Sequence, residues 1–113
     1  MIKIYHNPRC KKSREGLALI ENSGKKFEII KYLEDVPTEK ELTEIIEFLH
    51  ISPIQLIRKT EKVWKEAFKG KDLSDSEIIK AMIQNPKLIE RPIVIHKNKA
   101  VIGRPSENIM SIL

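Results

Sequence analysis

Two short apolar runs separated by one amphipathic stretch, all within residues 1–32, constrain the fold of this chain more than any other feature. Ile2 and Ile4 alternate with Lys3 and Tyr5 up to His6, and residues 27–32 are rich in Phe and Ile; both patterns predict strands. Between them a helix begins close to Cys10, with an apolar face of Leu17, Ala18, Leu19 and Ile20 from Ser13 to about Asn22, and Ser23-Gly24 supplies the stop. Two strands joined through a helix lie parallel, because the chain must be carried back before the second strand starts, and the crossover is right-handed.

The pattern then changes to helix after helix. Thr38 with Glu41 is a capping box, followed by Leu42, Ile45, Ile46 and Leu49 at i, i+3, i+4, i+7. Ser52-Pro53 restarts a short helix, residues 63–68 read as another ending by Gly70, and Ser74 with Glu77 caps one carrying Ile78, Ile79, Met82 and Ile83 up to Asn85-Pro86. Strands return at residues 93–96 and 100–102, joined so tightly that they must form an antiparallel hairpin. Pro105-Ser106 opens a terminal helix with Ile109, Met110, Ile112 and Leu113. The order βαβ, helical segment, ββα predicts an α/β, thioredoxin-like fold: a mixed four-stranded sheet with an all-helical insertion over residues 35–86. Met82 and Met110 are assigned to the core, and Trp64 to packing of the insertion.

A chain of 113 residues fits one domain, here residues 1–113. Its single cysteine excludes an internal disulfide and a multi-thiolate zinc site, and His6, His50 and His96 have no metal-ligand spacing, so no metal is expected. There is neither a leader-like opening nor an apolar run long enough to span a bilayer, which points to a cytoplasmic protein without membrane association. The charge of +5 is not gathered into one stripe and aromatics are few, so nucleic acid is not an expected partner. A monomer is expected.

Cys10 stands at the predicted start of the first helix, in the string His6-Asn7-Pro8-Arg9-Cys10-Lys11-Lys12-Ser13-Arg14. The unpaired N–H groups of a helix start act as a partial positive charge, and four cations adjoin the sulfur in sequence. A buried, inert thiol is hard to build in that setting, whereas a reactive thiolate is favoured by it. Ser13 occupies the position of the resolving residue in Cys-x-x-Cys, so an external thiol must release any mixed disulfide. Lys outnumbers Arg sixteen to five. In such a chain Arg58, Arg91 and Arg104, all at element boundaries and two of them before proline, suggest a task that needs planar, multi-donor cations.

Ile4-Tyr5-His6-Asn7-Pro8-Arg9-Cys10, the spacing His6-x-x-x-Cys10-x-x-x-Arg14, Tyr32-Leu33-Glu34, Arg58-Lys59, Asn85-Pro86, Glu90-Arg91-Pro92-Ile93-Val94 and Gly103-Arg104-Pro105-Ser106-Glu107 together resemble the glutaredoxin-coupled, glutathione-dependent arsenate reductases, over residues 2–113. The resemblance implies Cys10 as nucleophile, His6 and Arg14 as residues that help to keep it ionised, Arg58, Arg91 and Arg104 as the oxyanion-binding set, and a cis peptide before Pro92. It further implies arsenate as substrate, no bound cofactor, glutathione as co-substrate and glutaredoxin as protein partner. Two alternatives remain open: a thiol-stress regulator resembling Spx, which binds RNA polymerase, and a thiol-dependent reductase of another substrate.

Overall fold

The computed structural model describes residues 1–113, and the chain divides into two units, Met1–Asp35 with Arg91–Leu113, and Val36–Glu90. The first is built on a four-stranded sheet. β1 (Ile2–Tyr5), α1 (Lys11–Asn22) and β2 (Phe27–Ile30) form the crossover, with β1 and β2 parallel and Ile4 opposite Ile29. β3 (Ile93–His96) runs antiparallel to β1, and β4 (Lys99–Ile102) antiparallel to β3, for a strand order β2-β1-β3-β4. Lys97 and Asn98 alone connect the hairpin, with Lys97 in the left-handed region at φ 59°, as a tight turn between right-twisted strands requires.

The core of this unit is Ile2, Ile4, Ile20, Val94, Ile109 and Ile112, with Leu17 and Val101 packed against it. The inward Ile2 and Ile4 alternate with exposed Lys3, and their burial is the main force holding the sheet to α1 and the terminal turn. β2 is shorter than expected, because residues 31–35 turn after Ile30. The terminal segment is a 3₁₀ helix, Ser106–Ile112, rather than an α-helix. Three residues per turn place Ile109 and Ile112 inward together and swing Met110 outward, so the core assignment of Met110 fails: it is 66% exposed.

The second unit carries α2 (Glu39–Leu49), a 3₁₀ turn at Pro53–Leu56, α3 (Lys62–Ala67), α4 (Asp75–Gln84) and a 3₁₀ turn at Pro86–Leu88. Both predicted capping boxes form: Glu41 and Glu77 amides donate to the Thr38 and Ser74 hydroxyls at 3.1 and 3.2 Å, and the glutamates accept from the Thr38 and Ser74 amides. α4 packs on α2 and on both 3₁₀ turns, burying Leu42, Ile45, Ile78, Met82 and Leu88. Trp64 is buried and stacks on Phe68 with ring centroids 5.7 Å apart. The helical region reaches two residues past the expected limit, because Pro86 starts a 3₁₀ turn instead of closing the segment. No helix is long and apolar enough to cross a membrane.

Candidate active site

The loop between β1 and α1 is tied down at almost every polar group. Asn7 is the organiser: its carbonyl accepts the Cys10 N–H at 3.0 Å, its Oδ1 accepts the Arg9 N–H at 3.0 Å, and its own N–H donates to Ser13 Oγ at 3.0 Å. Cys10 is consequently the N-cap of α1, with extended backbone (φ −93°, ψ 122°), and its carbonyl accepts the first helical bond from Arg14. Its thiol thus sits where α1 has unpaired N–H groups, and the first turn contains no acidic residue to compete for them.

Two arginines from the other end of the chain meet this sulfur. An Arg104 Nη donates to Cys10 Sγ at 3.4 Å, while its Nε donates to the Arg91 carbonyl at 2.8 Å. Arg91 is itself buried at the start of the strand region. Burial pushes the Cys10 thiol up, but the Ser13 backbone N–H and the Arg104 and Arg91 guanidiniums outweigh it, and the thiol is held below its ordinary value. The site therefore stabilises the thiolate relative to an ordinary thiol.

Close packing holds the two halves of this arrangement together. The Arg91-Pro92 peptide is cis, as the resemblance implies, and Arg104-Pro105 is a second cis peptide that the sequence did not lead one to expect. Pro92 lies against two glycines: a Cβ on Gly16 would sit 3.0 Å from Pro92 Cγ, and one on Gly103 would sit 2.9 Å from it. Gly103 N–H also donates to the Pro92 carbonyl at 2.8 Å. The absence of two side chains thus lets α1 and the end of β4 close on Pro92, and it sets where Arg91 and Arg104 emerge relative to Cys10.

Of the residues singled out by sequence, Cys10, Arg91 and Arg104 converge. His6 and Arg14 border the same loop, but their hydrogen bonds go elsewhere. His6 Nδ1 lies 2.6 Å from the fully buried Ser13 Oγ. Burial, followed by the charges of Lys31 and Arg14, pushes the His6 imidazole below its ordinary value. Arg14 donates to the Pro8 carbonyl at 3.0 Å and braces the loop. Arg58 belongs to the second unit, where its guanidinium faces Glu61 and Glu90. The sequence reading missed Asn7 and the hydroxyl of Ser13 as organisers. The only available signal was an Asn-Pro turn and a small polar residue one turn into a helix, which is common in chains of any function. No group of His, Cys, Asp and Glu is arranged to hold a metal ion.

A mixed sheet of this topology with a lone cysteine at the first helix start, beneath two guanidiniums, defines a thioredoxin-like thiol protein built for an anion. Residues 5–112 match the ArsC family, and the chain belongs to that family. It is 45% identical over 112 residues to an arsenate reductase of Haemophilus influenzae, covering 97% of each chain. It is 42% identical to an arsenate reductase of Escherichia coli (strain K12), covering 99% of this chain and 80% of that one. The solved arsenate reductase from Vibrio cholerae superposes with a TM-score of 0.95 at 45% identity, covering 99% of this chain and 97% of that one.

Proposed function

We propose that the protein is an arsenate reductase, an oxidoreductase in which the Cys10 thiolate attacks arsenic. The observation that carries the reading is the Arg104 guanidinium 3.4 Å from Sγ at the N-cap of α1: a cation placed to keep the nucleophile ionised is also placed to take an oxygen of the anion it attacks. Without it two negative groups would have to meet, at a cost of about 4 kcal/mol for unit charges ~4 Å apart at an effective dielectric near 20. Arg91 and Arg104 bind arsenate oxygens, and the resemblance adds Arg58 to that set. His6, through Ser13, and Arg14, through the Pro8 carbonyl, hold the loop that presents the sulfur.

In this scheme Cys10 sulfur bonds to arsenic and one arsenate oxygen leaves as water. Glutathione then forms a disulfide with Cys10, and arsenic takes the two electrons the sulfurs lose and departs as arsenite. Ser13 offers no second thiol, so glutaredoxin, acting as an external thiol, removes the glutathione. Such chemistry needs a reducing compartment, which favours the cytoplasm. The Spx-like alternative is disfavoured by the same Ser13, which takes the place of the switch cysteine.

The test is arsenate-dependent turnover with glutathione and glutaredoxin, run beside a pull-down with RNA polymerase. The wild-type protein is expected to turn over and Cys10→Ser to be inactive; turnover by Cys10→Ser, or capture of polymerase without turnover, refutes the proposal.

A further inference from the structure

Arg58 and Glu90 are fixed by one short piece of antiparallel pairing. Ile57 bridges to Ile89, the Arg58 N–H donates to the Leu88 carbonyl at 2.7 Å, and the Glu90 N–H donates to the Leu56 carbonyl at 2.9 Å. That register makes Arg58 and Glu90 diagonal neighbours, a separation that long side chains span. From the other direction the Glu61 N–H donates to the Arg58 carbonyl at 3.1 Å, and Glu61 is the N-cap of α3. All three side chains are only about a fifth to a quarter exposed.

The resulting contacts have an unusual form. Arg58 Nε lies 3.6 Å from Glu90 Oε1, and an Arg58 Nη lies 3.8 Å from Glu61 Oε2. These are ion-pair distances, but they exceed the reach of an N–H···O hydrogen bond, and no hydrogen bond takes up any side-chain N–H of Arg58. A guanidinium with a purely architectural task would spend its donors on carbonyls or carboxylates. Here two backbone-anchored carboxylates hold the cation by charge from two sides and leave its donors open.

We infer that Glu61 and Glu90 are positioning residues for Arg58: they restrict its guanidinium in advance so that a tetrahedral oxyanion of the arsenate class meets a preset fork. The inference rests on the proposed role of Arg58 in binding that oxyanion. An arginine without such flanking groups must be immobilised at the moment of binding, at the expense of affinity.

The experiment is steady-state arsenate reduction with arsenate varied at saturating glutathione and glutaredoxin, for wild type, Glu61→Gln, Glu90→Gln, Arg58→Ala and the double variant Glu90→Gln/Arg58→Ala. Each glutamine variant is expected to raise the KM for arsenate about three- to tenfold with kcat nearly unchanged. In the Arg58→Ala background the effect of Glu90→Gln should vanish, which general loss of structure would not produce. Thermal unfolding of each variant verifies folding, and the two glutamines provide independent readings. An unchanged or lowered KM in both glutamine variants overturns the inference, as does an equal rise with Arg58 absent. If Arg58→Ala itself raises KM while the glutamine variants do not, only this inference fails. If Arg58→Ala leaves KM at the wild-type value, Arg58 leaves the oxyanion set and the inference goes with it, with catalysis by Cys10 untouched.

Discussion

Replacing Arg104 by alanine removes the cation nearest the nucleophile. At 3.4 Å, two unit charges attract by about 5 kcal/mol at an effective dielectric near 20 and by about 1.2 kcal/mol in bulk water. Cys10 is neither fully buried nor fully exposed, so the contribution falls between these limits, near the ~1.5–3 kcal/mol typical of a hydrogen bond to a charged group. Since 1.4 kcal/mol is tenfold in an equilibrium, the thiolate fraction on the acid side of the titration should drop about ten- to a hundredfold. The assay is the rate of Cys10 alkylation by iodoacetamide as a function of pH. Arg104→Ala is expected to shift the inflection to higher pH and to lower the rate on the acid limb by that factor. Arg104→Lys keeps the charge but cannot serve both Sγ and the Arg91 carbonyl, and should fall between. A wild-type alkylation profile in Arg104→Ala would refute the view that this guanidinium keeps the sulfur ionised.

Two further outcomes follow from the packing and the buried ring. His6 is held below its ordinary value of about 6.5, so on acidification the unfolded chain takes up a proton before the folded one does; denaturant stability should decline as pH falls below that value, and His6→Gln should flatten the decline. Gly103→Ala forces a Cβ to 2.9 Å from the rigid Pro92 ring and from Ile109, and should cost about 1–3 kcal/mol in urea melts. Gly16→Ala makes a slightly looser contact at 3.0 Å and gains about 1 kcal/mol of helix propensity, so it should be the milder of the two; the reverse order would contradict the packing described around Pro92.

The conformational origin of the site explains why a serine one turn into α1 matters as much as the cysteine before it. Ser13 has one hydroxyl proton and two lone pairs. It accepts from Asn7 N–H and shares a hydrogen bond with His6 Nδ1, while its backbone N–H faces the sulfur. The loop shape and part of the downward pull on the Cys10 thiol therefore depend on a single buried residue. The family resemblance implies that His6 helps to keep the sulfur ionised; the hydrogen-bond partner observed for its buried ring, just past the end of β1, is the serine.

What the sequence determined by itself was whatever depends on neighbours along the chain: the crossover, both capping boxes, the two-residue hairpin and a cysteine at a helix start all come from side-chain periodicity, turn chemistry and backbone hydrogen bonding within a few residues. The tertiary structure decided the rest. Arg104 reaches Cys10 from ninety-four positions away, across a junction where Gly16 and Gly103 both pack against Pro92. Met110 left the core because a 3₁₀ turn, and not an α-turn, set which of its neighbours faced inward. Convergence of distant side chains is a property of packing in three dimensions, to which no local pattern in the chain corresponds.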